Sequence, residues 1–463
     1  MKKRLTEESV LLVSVLKWFL LASVIGCLAG GSTAIFIKAL NWSTAQASRY
    51  PFYFLLLPIG FFFSSLLVMK FAPDAAGHGT EKVIEAVHRR AGRIKALVVP
   101  VKLVATIVTL AAGGSAGKEG PCAQIGGGLA SLFADLFRFD DDDRRKLVIC
   151  GISAGFAAVF GTPIAGAIFG IEVLFIGSLL YEVLLPSFVA GIIGYQVSAA
   201  LGVAYFYEPI RFVPAFTEAF FIKVSLAGIF FGLCSLLLIE TMRLGETLFE
   251  RIRLGKLLKS LLGGVALVGL ALLFSTRYLG LGLETIHAAL EGAVFPWPAF
   301  ILKSVFTSLT LSFGGSGGIV TPIFFVGATA GSLFGRLLGL STATFAAIGM
   351  VSLLAGAANT PIAASIMAVE LFGPKVAPYA AVACVISFLM TGHRSVYPSQ
   401  ILSVRKSASI QVKVGEEIKG AEPVFQSRKG SWLGTMGRLR GNLAKTVETY
   451  RSKKLRSEGK QSE

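Results

Sequence analysis

Charged residues are scarce in this chain of 463 residues, at 15% of the sequence, whereas hydrophobic residues make up 54%. Together with a mean hydropathy of +0.71, this excludes an ordinary soluble domain. Charge-free runs, each at or above the roughly 20 residues that a spanning helix needs, cover residues 51–69, 147–171, 304–335 and 337–369. The two longest runs exceed one span and contain Gly-rich or Asn-Thr-Pro breaks, which indicate pairs of short or discontinuous helices. The sequence therefore predicts an all-α, polytopic membrane protein.

Cysteine is also scarce, and its pattern excludes a disulfide framework or a metal cluster. The five cysteines stand singly in apolar surroundings, without metal-ligand spacing, and are predicted to be buried thiols: Cys27, Cys122, Cys150, Cys234 and Cys384. Residues 24–27 resemble a bacterial lipidation site, but the stretch before them is a poor signal peptide, so we expect part of the first membrane helix instead. The spans hold no His-Glu-x-x-His motif and no paired aspartates, which disfavours an intramembrane enzyme; no cofactor, metal or catalytic residue is predicted.

Acidic residues are outnumbered, which leaves a formal net charge of +17. From residue 401 to the end, 14 Lys or Arg face 6 acidic residues, so the charge is concentrated in a polar tail. Basic residues that flank the last span mark the cytoplasmic side, and three more at the start place the N-terminus there too. We therefore expect contact with anionic lipid and no nucleic acid. The basic residues in question include Lys2, Lys3, Arg4, Arg405, Lys406, Arg438, Arg440, Lys453, Lys454 and Arg456.

One glycine phrase occurs twice inside these apolar stretches. Gly-Gly-Ser-Ala-Gly-Lys-Glu-Gly-Pro at residues 113–121 returns as Gly-Gly-Ser-Gly-Gly-Ile-Val-Thr-Pro at residues 314–322, which is 201 positions later. Open backbone at membrane depth is tolerated only where it is buried in protein or lines a cavity. Each phrase ends in a helix start, and a helix N-terminus offers free amides to an anion. The pair is typical of an ion transporter with broken helices.

A second phrase, Thr-Pro-Ile-Ala, also repeats. The first copy begins at Thr162 and is followed by Glu172, and the second begins at Thr360 and is followed by Glu370. Two landmarks at offsets of 201 and 198 residues predict a fold of two repeats, about 45–200 and 215–395. The two glutamates are interpreted as structural carboxylates that are paired or hydrogen-bonded. From the sequence, the repeats can be parallel or inverted.

The motifs resemble those of the CLC family of anion channels and proton-coupled antiporters. They are Gly-Lys-Glu-Gly-Pro at residues 117–121, Gly-Ile-Val-Thr-Pro at 318–322 and Val-Tyr-Pro-Ser at 396–399, and the match covers nearly all of residues 15–410. The resemblance implies two inverted halves, one anion pore per subunit and a homodimer. The basic residues at both ends predict a cytoplasmic N-terminus at residues 1–14 and a basic cytoplasmic tail at 411–463. Some family members carry cytoplasmic CBS domains, for which we expect this tail to be too short.

The resemblance assigns a role to Glu119, an acid at a helix start in an otherwise apolar segment. It implies the gating glutamate, which occupies the anion's own site and leaves when protonated. Lys118 could raise the local positive potential or line the mouth of the pathway. Tyr397 matches the tyrosine whose hydroxyl contacts the anion from the inner side. The anion site is expected to include Gly77, His78, Gly79, Lys118, Gly120, Gly318, Ile319, Val320, Thr321, Phe324 and Tyr397.

Three departures from the chloride-carrying members bear on the transported ion. His78 stands where their serine contacts chloride, and Val320 and Thr321 replace a Phe-Ala pair, a pattern that resembles the fluoride-exporting branch. Val173 replaces the usual inner proton-handling glutamate. A fluoride ion that loses its hydration shell needs nearly as many hydrogen bonds from the protein as it made to water, and a threonine hydroxyl can donate one of them. We therefore predict a fluoride/proton antiporter in the cell membrane that exports fluoride, with a chloride/proton exchanger and then a passive anion channel as alternatives.

Overall fold

The computed structural model describes residues 2–205, 207, 208, 210, 217–421 and 423–425, and these residues form sixteen α-helices with four two-residue strands. The first eight helices are α1 (Lys2–Ala47), α2 (Leu57–Phe71), α3 (Gly79–Arg89), α4 (Val98–Ala111), α5 (Glu119–Leu136), α6 (Asp141–Phe160), α7 (Pro163–Glu172) and α8 (Leu184–Ala200). The second eight are α9 (Glu218–Arg251), α10 (Lys256–Leu273), α11 (Leu283–Leu290), α12 (Ala299–Ser312), α13 (Val320–Leu337), α14 (Thr342–Ala358), α15 (Pro361–Phe372) and α16 (Ala377–Met390). The predicted all-α fold is confirmed.

The second set of helices repeats the first. Helix α4 and α12 begin 201 residues apart, as do α5 and α13, and α7 and α15 begin 198 residues apart. Helix α1 packs on α6 and α8, as α9 packs on α14 and α16. The equivalence therefore includes α1, which begins well before the predicted start of the first repeat near residue 45.

The two repeats are inverted. The C-terminal end of α7 meets the N-terminal end of α15, and the reverse contact is also made, so equivalent helices run antiparallel side by side. Glycines let the helices inside each repeat approach closely. A Cβ atom on Gly151 of α6 would lie 2.5 Å from the carbonyl oxygen of Gly126 of α5, and Gly327 and Gly349 make the same close contact between α13 and α14. The packing is thus the same in both halves.

The predicted breaks in the two longest apolar runs are confirmed. Residues 304–335 divide into the end of α12 and α13, and residues 337–369 divide into α14 and α15. The run at 147–171, although long enough for a single span, is also broken. Helix α6 ends at Phe160, because Gly161 follows in the left-handed conformation (φ 74°), and α7 then starts at Pro163.

In the described part of the chain, six helices are long and apolar enough to cross a membrane by length and composition, among them α1, α9 and α13. This agrees with a multi-pass membrane protein. The prediction that all five cysteines are buried is wrong for Cys27, which is exposed. Helix α1 packs on α4, α5, α6 and α8 with one face only, and Cys27 lies on its outer face. The other four cysteines are buried.

A short C-terminal segment, residues 401–421, covers one end of the helices. Strand β2 (Ile401–Leu402) pairs in parallel with β1 (Phe175–Ile176), and β3 (Ile410–Gln411) pairs with β4 (Val424–Phe425). The Glu417 carboxylate accepts two hydrogen bonds of 2.5 Å from Arg89 at the end of α3 and raises the pKa of that guanidinium. The predicted basic tail beyond residue 425 and the side chains of residues 2–4 lie outside the described part of the chain.

Candidate functional site

The two glycine phrases meet at the centre of the molecule. Gly117 and Gly318 exchange backbone hydrogen bonds of 2.7 and 2.6 Å. His78 and Gly317 form an isolated parallel β-bridge. A Cβ atom on Gly318 would lie 2.7 Å from the amide nitrogen of Gly120, so a larger residue has no room there. The contact brings the N-termini of α3, α5 and α13 together, and we name the space between them the central site.

Reciprocal hydrogen bonds hold the two phrases in this position. The N–H of Ser115 donates to the Thr310 hydroxyl (3.0 Å), and the N–H of Ser316 donates to the Thr109 hydroxyl (2.9 Å). Each phrase is thus fastened to the helix that precedes the other phrase. Because all four residues are buried, these two N–H groups are satisfied by protein alone.

Glu119 is fully buried and reaches across the central site to the opposite repeat. Its Oε2 accepts a hydrogen bond from the Thr321 backbone N–H (3.1 Å), and its Oε1 accepts a hydrogen bond from the Thr321 hydroxyl. The carboxylate therefore lies at the N-terminus of α13, where free amides and the helix dipole favour an anion. An acid held there occupies the position that a bound anion would use.

Two polar side chains, His78 and Tyr397, lie together on another side of the central site. The two ring centroids are 5.7 Å apart, and Tyr397 is fully buried. His78 Nδ1 is buried without a hydrogen-bond partner; the Tyr397 hydroxyl makes no hydrogen bond of ordinary geometry, although the Thr80 side chain interacts with it. Buried polar atoms are normally paired, so these two are free to contact an ion or a water molecule.

A cavity of about 230 Å³ adjoins the other side of Glu119, and we name it the Lys118 cavity. Phe324 lines it and packs against Phe160, with ring centroids 5.1 Å apart. Phe325, the next residue on α13, points away into the core, where Lys303 lies over its ring. The residues that line the cavity include Lys118, Glu119, Phe160, Tyr205, His287, Thr321 and Phe324.

The structure brings the remaining predicted residues to the same place, each at a helix start. Gly77 has a φ of 69° and precedes α3, which begins at Gly79, while Gly120 is the second residue of α5. Ile319 caps α13 and Val320 is its first residue, and both are buried. All the predicted anion-site residues therefore lie around the central site or the Lys118 cavity; their roles stay predictions.

Glu172 and Glu370 make a reciprocal exchange between the repeats. Glu370 accepts hydrogen bonds from the N–H groups of Ile164 (3.0 Å) and Ala165 (2.8 Å), at the start of α7. Glu172 accepts from Ile362 (3.0 Å) and Ala363 (2.8 Å), at the start of α15. Each acid caps the helix of the other repeat, which matches the predicted hydrogen-bonded arrangement.

Two buried lysines were not singled out from the sequence. Lys102 Nζ donates to the carbonyls of Ala75 (3.2 Å) and Gly77 (2.5 Å), and Lys303 Nζ donates to those of Tyr278 (3.0 Å) and Gly280 (2.8 Å). Both side chains are fully buried, and each holds the loop that leads into α3 or α11. The signal that could have found them is their spacing of 201 residues, which is the offset of the glycine phrases.

The chain is similar to known transport proteins over most of its length. The family model "Voltage gated chloride channel" matches residues 60–392. A "Chloride/fluoride channel protein" of Pseudomonas syringae pv. tomato is 38% identical over 409 residues, which is 86% of this chain and 89% of the relative. The "H(+)/Cl(-) exchange transporter ClcA" of Klebsiella pneumoniae is 30% identical over 76% of this chain and 80% of its own.

Solved structures show the same similarity. The crystal structure of a CLC-type fluoride/proton antiporter matches with a TM-score of 0.80 and 31% identity, over 84% of this chain and 98% of the other. A slow cyanobacterial Cl⁻/H⁺ antiporter matches with a TM-score of 0.70 and 22% identity, over 81% and 94%, and supports the fold alone.

Proposed function

Since the chain belongs to the voltage-gated chloride channel family, whose members are transporters or channels, we propose that it is a proton-coupled antiporter that exports fluoride from the cytoplasm. The observation that carries this proposal is the position of Glu119. A buried acid, in contact with Thr321 at the α13 N-terminus, competes with a transported anion for the same donors.

Protonation of Glu119 provides the coupling in this proposal. The ionised carboxylate is held by hydrogen bonds from Thr321, which are strong because the acceptor is charged. A proton on Glu119 removes that charge and weakens both bonds, so the side chain leaves and an anion takes its place. When the anion departs, the side chain returns and releases its proton. The ionised carboxylate and the anion therefore exclude each other, whereas a proton on Glu119 favours the anion.

The surroundings supply a pathway on both sides of Glu119. Lys118 gives the Lys118 cavity a positive charge, which raises the local concentration of anions at this mouth. On the other side, His78 Nδ1 and the Tyr397 hydroxyl have no ordinary hydrogen-bond partner and lie beside the α3 N-terminus. We assign the anion's inner contacts to these groups and place the C-terminal segment and the N-terminus on the cytoplasmic side.

Fluoride is favoured by the donors at the α13 N-terminus. The Thr321 hydroxyl points into the central site, where it meets the Glu119 carboxylate, and becomes available to an anion once that side chain leaves. Small, strongly hydrated fluoride gains more from such a donor than chloride does. Two relatives, a chloride/fluoride channel protein at 38% identity and a fluoride/proton antiporter at 31%, support this choice.

Chloride/proton exchange is the second candidate. Curated relatives at 30% identity are named as H⁺/Cl⁻ exchange transporters. Tyr397, whose hydroxyl is free of ordinary hydrogen bonds, is a donor that serves chloride as well as fluoride. We also propose a homodimer, as the family resemblance implies.

Flux measurements on purified protein in liposomes test the proposal. We expect an outward fluoride gradient to drive protons uphill into the vesicles, and an equal chloride gradient to drive far fewer. Equal proton movement with both ions would favour the chloride exchanger. Anion flux without any proton movement would contradict antiport and indicate a channel.

A further inference from the structure

Glu81 is a second acid beside the central site, half-buried in the first turn of α3. Its Oε1 accepts hydrogen bonds from the Ser399 N–H (3.0 Å) and the Ser399 hydroxyl (2.6 Å). Its Oε2 is buried and has no hydrogen-bond partner. One oxygen of the carboxyl group is thus fixed by protein, and the other is held out of solvent with nothing to bind. A proton is the simplest partner for it.

The position of Glu81 relates it to Glu119. Ser399, the hydrogen-bond partner of Glu81, lies two residues after Tyr397. A Cβ atom on Gly79 would lie 2.5 Å from the carbonyl oxygen of Gly120, the residue after Glu119. Both acids are therefore close to the same helix N-termini. Helix α3 continues from there to Arg89, which contacts the C-terminal segment, so Glu81 lies toward that segment, whereas Glu119 adjoins the Lys118 cavity.

The charged neighbours of Glu81 do not neutralise it. Lys82 and Glu85 on the same helix pair with each other at 2.9 Å. Outside α3, Glu81 accepts hydrogen bonds from Ser399, which is uncharged. Among the described residues, Glu81 makes no ion pair, so its charge depends on whether Oε2 carries a proton.

An acid in a helix first turn is often only a partner for the helix dipole. That explanation accounts for the ionised form of Glu81, but it conflicts with an anion bound at the same helix N-terminus, since two negative charges in one buried site repel each other. Protonation of Oε2 removes the conflict. Glu81 and an anion at the α3 N-terminus are therefore linked: the proton favours the anion, and the anion favours the proton.

We propose that Glu81 is the inner proton-carrying residue. It takes the role of the inner glutamate that Val173 replaces in this chain. The inference rests on the proposed function, proton-coupled anion exchange. In exchange for exported anion, a proton enters from the Lys118 cavity and adds to the carboxylate of Glu119. The O–H bond on Glu119 then breaks as an O–H bond forms at Oε2 of Glu81. Glu81 releases the proton to the aqueous phase on the side of the C-terminal segment, so both carboxylates return to their starting states.

The test is proton flux driven by an anion gradient in liposomes, for wild-type protein and Glu81→Gln. Glutamine keeps the shape and one acceptor for Ser399 but carries no proton. We expect anion flux to continue while the coupled proton flux falls at least tenfold. Glu85→Gln, on the next turn of the same helix, is the matched control and should keep wild-type coupling. Coupling that survives in Glu81→Gln would overturn the role of Glu81 and leave the proposed function standing. A wild-type protein that moves no protons would overturn both.

A second variant keeps the inference falsifiable if Glu81→Gln does not fold. Ser399→Ala retains the carboxyl group but removes a hydrogen bond to its charged form, which favours the protonated form. We therefore expect the pH of half-maximal exchange, varied on the side of the C-terminal segment, to rise. An unchanged pH profile on that side would contradict the proposal.

Discussion

The two repeats share their scaffold and differ at the central site. Lys102 and Lys303 bind equivalent loop carbonyls, and Glu172 and Glu370 cap each other's equivalent helices. At the glycine phrases the symmetry ends, because α5 begins with Glu119, whereas α13 begins with Val320.

The difference separates structural residues from residues that act on an ion. A buried acid or lysine that occurs in both repeats, with the same backbone partners, stabilises both halves in the same way. Glu119 has no counterpart, since its equivalent position is apolar and the donor Thr321 belongs to the other repeat. We infer that exchange depends on the asymmetric residues and that folding depends on the symmetric ones.

The largest stability effect should come from the buried lysines. Lys102→Met and Lys303→Met each leave one buried and one half-buried carbonyl without a donor, at about 1–3 kcal/mol apiece, so each variant should lose about 2–6 kcal/mol. Thermal unfolding in detergent measures the loss. If the repeats share one scaffold, the two variants should be destabilised alike.

Lys256→Met, a change at the exposed start of α10, is the control and should unfold like wild-type protein. The comparison between the repeats would fail if only one of the two buried lysines mattered, since their partners are equivalent.

The next-largest effect, on anion transport, is expected at Thr321, the hydrogen-bond donor to Glu119. Thr321→Val keeps the shape of the side chain and deletes one hydrogen bond to a charged group, which contributes about 1.5–3 kcal/mol. Fluoride transport should therefore fall by about ten- to a hundredfold, and chloride transport should fall less. Fluoride and chloride efflux from liposomes, measured in parallel, gives both values.

Thr329→Val, on the same helix, removes a hydroxyl that bonds only to carbonyls of its own helix, and it should change neither flux. An equal loss for both ions in Thr321→Val would reject fluoride selectivity at this residue and favour the chloride exchanger.

A smaller effect is expected at the reciprocal acids. In Glu172→Gln, the amide oxygen accepts from one of the two N–H groups and the other loses its acceptor, at about 1–3 kcal/mol. Glu370→Gln should lose a similar amount of stability. Unfolding in detergent, together with the proton-to-anion ratio of the folded fraction, tests both variants. A changed ratio with normal stability would instead make Glu172 a proton carrier.

Much of the fold follows from the sequence because glycine and proline act locally. The glycine phrases and Pro361 mark helix breaks without any knowledge of tertiary contacts. Hydropathy does not predict the break at Gly161, because the run around it is long enough for one span and a left-handed residue leaves the hydropathy unchanged.

The candidate site depends on contacts that sequence does not specify. The sequence predicts that Glu119 lies near a helix start but not that its partner is Thr321, 202 residues away. Adjacent residues on a helix point about 100° apart, so Phe324 faces the cavity while Phe325 does not. An isolated lysine such as Lys102 suggests the end of a span, and only the folded chain shows that carbonyls surround it.

Proton movement in Glu119→Gln tests the central claim most directly. Liposomes that contain wild-type protein, Glu119→Gln or the exposed control Glu291→Gln are given an anion gradient, and the proton flux is recorded. Glutamine can neither carry a proton nor release one, so we expect coupled proton flux to vanish in Glu119→Gln and to persist in the control and in wild-type protein. Proton flux that persists in Glu119→Gln would contradict the account.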